Sequence, residues 1–180
     1  MFIIRDMVVD DVEAIAGIHT QSWQSAYRGI LLDSYLDGSL CDEHLTIWQE
    51  RLSKPVAEHI GLVALSGSSI VGFAFAFVDH DKRWGTLLDN LHVHPECQGQ
   101  GIGTKLLIGL TNSLLQRTPQ GGIYLEVFEE NHRARRYYEK LGAEVIERSV
   151  ADAPGGGKVA EWLYAWPLVE QLNTVLRNQN

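Results

Sequence analysis

Cysteine is scarce in this 180-residue chain: Cys41 and Cys97 are the only two. That excludes a disulfide framework, and with no C-x-x-C pair it also excludes the redox and zinc motifs built on that spacing. A reducing compartment fits such usage. The opening MFIIRDMVVDD has no basic region followed by a long apolar stretch, so it does not read as a secretory signal. Apolar runs fall far short of the roughly 18–20 residues of a membrane span. The expectation is a soluble, cytoplasmic protein that docks on no membrane. Positive charge is also in short supply. Fifteen Lys and Arg stand against 23 Asp and Glu, a net charge of −8 at pH 7. This argues against a nucleic-acid partner, which demands a basic surface, and against an anionic membrane. It leaves room for a cationic substrate, which an acidic surface attracts.

What is present suffices for one ordinary core. At roughly 100–200 residues per domain the length gives a single domain, 1–180, with about 168–180 as a weakly helical C-terminal tail. No internal repeat or linker appears. Phe2 to Arg5 reads as a strand. Asp10 and Glu13 have capping-box spacing, and Val12, Ile15, Ala16, His19 and Trp23 recur at helical steps from about Asp11 into the low twenties. A second helix is expected over about 42–53, with Leu45, Trp48 and Leu52 on one face. His59–Leu65 and Ile70–Val78 flank Ser66-Gly67-Ser68-Ser69, a hairpin signal. Gly85–His94 is a third strand of this middle region. A helix over about 101–116, a strand over Ile123–Phe128, and a helix capped by Asn131 and stopped by Gly142 follow. Strand-like runs at about 143–150 and 158–166 flank a flexible Ala-Pro-Gly-Gly-Gly loop. The order predicts an α/β (α+β) domain: a mixed sheet of about six or seven strands flanked by helices.

The most informative segment is Leu88-Asp89-Asn90-Leu91-His92-Val93-His94-Pro95-Glu96-Cys97-Gln98-Gly99-Gln100-Gly101-Ile102-Gly103. A strand runs into glycines, and the glycines open a helix. Backbone N–H groups at a helix start, with no side chains in the way, form an anion site. Thr104 stands where a Rossmann fingerprint counted from Gly99 needs its third glycine, and where a Walker loop from Gly99 needs its second. What remains is Q-x-x-G-x-G, at Gln98, Gly101 and Gly103, directly after Leu-x-Val-x-Pro. This resembles the acetyl-CoA loop of the GCN5-related N-acetyltransferase superfamily. Asn131-His132-Arg133-Ala134-Arg135-Arg136-Tyr137-Tyr138-Glu139-Lys140-Leu141-Gly142 resembles the family's second signature, N-x-x-A-x-x-[FLY]-Y-x-[KR]-x-G. Ala143 departs from it, where the family often has Phe, which bears on packing rather than chemistry.

The resemblance implies a sheet splayed between its fourth and fifth strands. The edge of Leu91, His92 and Val93 would then bind the pantetheine arm of acetyl-CoA as an added strand. It implies that the Leu91 N–H polarises the thioester carbonyl. The loop N–H groups of Gln98, Gly99, Gln100, Gly101, Ile102, Gly103 and Thr104 would hold the pyrophosphate. Asn131 would bond the pantetheine arm, and Arg133, Arg135 or Arg136 would meet CoA phosphates. Acetyl-CoA is thus the implied co-substrate, and no metal is called for: His92-x-His94 lacks a third ligand. Cys97 lacks an activating histidine and does not read as a nucleophile.

An alkyl amine has a pKa near 10, so it arrives protonated; a base must deprotonate it, and an acid must protonate the thiolate. By resemblance Tyr138 is the acid. Asp89 is the first choice of base, because relatives often carry an acidic residue there; it reads equally as a carboxylate that only binds the amine. On an ideal strand Asp89, Leu91 and Val93 share one face; a bulge would change the parity and bring in His92. Glu126 on the neighbouring strand is a reserve. The family's acceptor wall corresponds to Trp23, Tyr27, Asp33 and Tyr35 with the 151–157 loop. The expected activity is acetylation of a primary amine on a small molecule by direct attack. A protein N-terminal or lysine acetyltransferase and a non-catalytic CoA-binding module are the alternatives, and a homodimer is left open.

Overall fold

The computed structural model describes residues 2–54, 56–118 and 120–179. The strands are Phe2–Asp6 (β1), His59–Ser66 (β2), Ser69–Asp81 (β3), Gly85–Val93 (β4), Ile123–Phe128 (β5), Glu144–Asp152 (β6) and Lys158–Trp166 (β7). The helices are Val12–Ala26 (α1), Asp33–Leu36 (α2), Leu40–Ser53 (α3), Ile102–Arg117 (α4), His132–Lys140 (α5) and Val169–Asn178 (α6). The strands form one mixed sheet in the order β1-β2-β3-β4-β5-β7-β6, in which only β4 and β5 pair in parallel.

Alternation along the central strands divides the core between two faces. Val63, Phe73 and Phe75 pack with Ile15, Ala16 and Trp48 of α1 and α3. Leu62, Ala64, Ala74 and Ala76 turn the other way, onto Leu106, Leu107 and Leu110 of α4. Each such leucine contributes roughly 1.5–3 kcal/mol by leaving water. The expected C-terminal tail belongs to this second layer. Val169, Leu172 and Leu176 are fully buried, and the Asn173 amide donates to Thr111 Oγ1 at 2.8 Å. Among the described residues no helix is long and apolar enough to cross a membrane.

The capping box expected at Asp10 and Glu13 does not form. Val9–Asp11 make a 3-10 turn instead, and Asp11 accepts from the Val8 N–H at 2.9 Å while pairing with both guanidinium nitrogens of Arg5. The short α2 falls in a stretch with no periodic signal. The loop after β6 is an ordered turn: Gly156 N–H donates to Ala153 and Ala153 N–H to Gly157. Gly155 sits where any Cβ would run into the Tyr35 ring.

Two features of β4 create the opening in the sheet. Its ladder with β5 ends after two pairs, Thr86–Ile123 and Leu87–Tyr124, and β5 then pairs only with β7. On its other edge Leu88 pairs with Ala76 and Asn90 with Phe75, so Asp89 is the extra residue of a bulge. The parity therefore changes at Asp89. Where β4 and β5 do touch, Gly85 has a positive φ of 83°. A Cβ there would overlap the Gly122 carbonyl oxygen and come within 2.9 Å of its nitrogen.

Candidate active site

Beyond the bulge β4 offers a free edge. The His94 N–H donates to Val71 of β3 at 2.9 Å. N–H groups alternate sides along an antiparallel strand, so those of Leu91 and Val93 point away from β3, into the gap left by β5. A cleft of about 790 Å³ opens there, between the glycine loop and α4 on one side and α5 on the other.

The loop is built as an anion cradle. Gly99 and Gly101 take φ of 78° and 76°, a left-handed conformation that side chains disfavour. Lys105 N–H is the first to close an α4 hydrogen bond, to Gly101. Among the described residues the N–H groups of Gly99 to Thr104 are not used within the protein. Gln98 ties the loop to both neighbours: its amide nitrogen donates to the Val93 carbonyl at 3.2 Å, and its oxygen accepts from Arg133. Across the cleft Asn131 caps α5, accepting from the Ala134 N–H at 3.2 Å. The helix ends in a Schellman motif, with Gly142 N–H donating to Glu139 and Ala143 N–H to Tyr138. The free N–H groups, the guanidinium and the long groove suit a pyrophosphate with an extended arm, so the residues present fit acetyl-CoA.

Of the loop residues expected at that co-substrate, Gln98 to Thr104, Gln100 alone stays off the cleft wall, and it is exposed. The three arginines separate. Arg133 lines the cleft; Arg135 turns outward to Tyr164, the Glu129 carbonyl and the Trp162 ring; Arg136 is exposed. Tyr138 is 8% exposed and lines the cleft, with burial, then Tyr137 and Tyr27, pushing its phenol well above the usual range.

The acceptor residues also divide. Tyr27 and Glu126 line the cleft; Trp23, Asp33 and Tyr35 do not. Trp23 packs edge-on to His19 and His44, Asp33 pairs with Arg28, and Tyr35 donates to Glu43 at 2.7 Å. Short local pairings claim these side chains first. Asp89 lines the cleft with its carboxylate held by Arg51 of α3 at 2.7 Å, while Arg51 also donates to Asn90 Oδ1 at 3.0 Å. The Arg51 guanidinium lies 5.0–5.2 Å from the centres of the Trp48, Phe75 and Phe77 rings. His92 Nδ1 is 2.9 Å from Ser22 Oγ, and burial brings the imidazole down to about 3.

Behind His92 lies a buried polar layer that sequence reasoning missed. His19 and His44 stack with centroids 3.6 Å apart. The Trp48 indole N–H donates to His19 Nδ1 at 3.2 Å, which forbids a proton there. Thr20 Oγ1 spends its hydrogen on the Ala16 carbonyl, so at His44 Nδ1 it accepts. The visible signals were Arg51 three residues after Trp48, on an apolar helix face, and three histidines on core elements.

This geometry defines a long cleft with a backbone anion cradle in a splayed sheet, and known proteins share the fold. The sequence profile of the acetyltransferase (GNAT) family matches residues 21–143. An uncharacterized N-acetyltransferase of Bacillus subtilis, YuaI, is 26% identical over 178 residues, 98% of this chain and 99% of that one. A spermine/spermidine N(1)-acetyltransferase of the same organism is 36% identical over 78 residues, 41% of this chain and 51% of that one. The crystal structure of the PaiA N-acetyltransferase of Thermoplasma acidophilum, in complex with coenzyme A, superposes with a TM-score of 0.70. That chain is 20% identical, with 89% of this chain and 98% of that one covered, a likeness of fold. The chain belongs to the acetyltransferase (GNAT) family. As a member it is an acetyl-CoA-dependent acyltransferase.

Proposed function

We propose that this is a cytoplasmic N-acetyltransferase that moves the acetyl group of acetyl-CoA directly to a primary amine of a small, cationic molecule. The observation that carries the reading is the free edge of β4, with the Leu91 N–H aimed into the cleft that Tyr138 closes from α5. The N–H would polarise the carbonyl as the amine attacks. The Tyr138 phenol, protonated at every working pH because burial raises it, would protonate the departing thiolate. The loop from Gln98 to Thr104 and Arg133 would hold the phosphates, and Asn131 the pantetheine arm. Support for a cationic acceptor comes from the carboxylates on the cleft wall, Asp89, Glu126 and Glu130, with Tyr27 on the same wall. The net charge of −8 and the partial likeness to a spermine/spermidine acetyltransferase point the same way.

A thiol-release assay with acetyl-CoA and a panel of polyamines, aminoglycosides, amino acids and short peptides tests this. Turnover with amines of the first two groups is expected; turnover with peptides alone would overturn the small-molecule reading. Tyr138→Phe should lower kcat by about 10²–10⁴-fold and leave acetyl-CoA binding intact. Full kcat across pH in that variant would remove Tyr138 as the acid.

A further inference from the structure

The proposed transfer depends on the direction of one backbone N–H, that of Leu91, and the bulge in β4 decides that direction. Before the bulge β4 pairs with β3 as Phe77–Leu87 and Ala76–Leu88; after it the pairs are Phe75–Asn90, Ala74–Leu91 and Phe73–His92. N–H groups alternate sides along an antiparallel strand. Thr86 N–H, before the bulge, points off β3 and donates to the Gly122 carbonyl, whereas His94 N–H, after it, donates to Val71 of β3. Both residues are even-numbered, so the alternation reverses between them. If the first register ran on without a bulge, Leu91 would stand opposite Phe73 with its N–H spent on β3. A slip of one residue thus removes the donor from the cleft.

On a regular strand Asp89 and Asn90, being consecutive, would point to opposite faces. Here one guanidinium nitrogen of Arg51, Nη1, donates to both: to Asp89 Oδ2 at 2.7 Å and to Asn90 Oδ1 at 3.0 Å. The bulge sets the two side chains on the α3 face together, and Arg51 bridges them. The guanidinium is itself fixed against the rings of Trp48, Phe75 and Phe77. Trp48 is fully buried and tied to His19, and the Asn90 amide nitrogen lies 3.5 Å from His19 Nε2. Arg51 stands off the cleft wall, whereas Asp89 and Leu91 are on it.

Resting on the reading in which the Leu91 N–H polarises the thioester carbonyl, we infer that Arg51 is a positioning residue: by bridging Asp89 and Asn90 it keeps β4 in the bulged register that aims this N–H into the cleft. It acts through the strand and not on the reacting atoms. Among the described residues the Asp89 carboxylate has no other hydrogen-bond donor. Without Arg51 the two side chains lose what holds them on one face, and the slipped register competes. The carbonyl oxygen gains negative charge as the amine attacks, so a donor turned away weakens the transition state more than the ground state. The phosphate end has ties of its own that do not pass through Arg51: His94 N–H to Val71, Gln98 to the Val93 carbonyl, and Arg133 to Gln98.

Isotope-edited infrared spectroscopy tests this. Acetyl-CoA with an isotopically labelled thioester carbonyl is bound to saturation, without amine, by the unmodified chain, Arg51→Met and Arg51→Lys. Titration calorimetry gives each acetyl-CoA Kd, and thiol release gives kcat and KM with whichever panel amine turns over. Met keeps an unbranched apolar stem on the three rings and removes both donations; Lys keeps charge and donors. In the unmodified chain the carbonyl band should lie below its position in free acetyl-CoA, because a hydrogen bond weakens the C=O bond. In Arg51→Met it should move back most of the way. There kcat should fall by about 10²-fold, the scale of one lost oxyanion donor, with Kd nearly unchanged, which also shows that the variant folds. Arg51→Lys should recover part of the band shift and of kcat. A band in saturated Arg51→Met that matches the unmodified chain would overturn the inference, since a merely structural ion pair lowers stability and leaves the bound carbonyl alone. A loss confined to acetyl-CoA Kd would overturn it too. If the band does not shift when the unmodified chain binds acetyl-CoA, the reading of Leu91 fails, and the inference with it.

Discussion

Acidification from pH 7.5 to 5 should cost this fold about 4 kcal/mol through two histidines alone. His19 and His44 are 4% and 2% exposed, and burial is the first cause of both lowered pKa values, with His44 brought to about 4. The Trp48 N–H on His19 Nδ1 reinforces this, since a second proton there would face a donor. Above about pH 6.5 both rings are neutral folded or unfolded, and neither contributes. Below it the unfolded chain takes up protons that the folded chain refuses, and each ring removes about 1.4 kcal/mol per pH unit until the folded value is reached. His92, lowered to about 3, acts in the same direction. For a domain of this size 1 kcal/mol is roughly 2–4 °C in Tm, so the melt should fall by about 10–15 °C across the range. The carboxylates that ion pairs hold low, Asp11 and Glu129 among them, act mainly below this window. His44→Gln isolates the effect. Urea denaturation at half-unit pH steps should show its stability slope between pH 6 and 5 reduced by about 1.4 kcal/mol per unit relative to the unmodified chain. Parallel curves for the two proteins would refute the reasoning, because His44 would then titrate alike in both states.

Two further outcomes follow from single contacts. Gly85→Ala places a Cβ on the Gly122 backbone at a φ of 83° and should lower stability by about 2–4 kcal/mol in urea denaturation; a change under about 0.5 kcal/mol would show that the β4–β5 junction yields freely. Arg133→Ala should weaken acetyl-CoA binding about fivefold and flatten its salt dependence, whereas Arg136→Ala, on the exposed side of α5, should leave both unchanged; equal losses would mean that the helix contributes only diffuse positive charge.

Much of the architecture was legible because it rests on short-range rules. The glycine loop, the Asn131 cap and the Gly142 stop each depend on a few consecutive residues, and each stands where those residues place it. The hairpin of β2 and β3 and the stripe of α4 follow from periodicity in the same way. Asp10 and Glu13 show where this fails. The helix starts one residue later than the spacing suggests, after a 3-10 turn over Val9–Asp11, with Asp11 at its N-cap position and paired to Arg5. The C-terminal helix was underread because three buried apolar residues over eight positions are a weak signal until α4 supplies their surface.

By itself the sequence determined the order of elements, the anion-binding loop, the capped helix that carries Tyr138, and hence the family. All of these are properties of neighbours along the chain. Only the tertiary structure decided which carboxylate is held in an ion pair. Asp89 and Glu126 look alike as residues, and what separates them is Arg51, 38 positions from Asp89, and the bulge that turns Asp89 towards it. Likewise Ser22 meets His92 across 70 positions, and His19, His44 and Trp48 become one buried layer only when α1 and α3 close on the sheet. Charge state depends on burial and on the nearest opposite charge. Both are set by distant segments, and that is why the state of the site's carboxylates could not be read from the sequence.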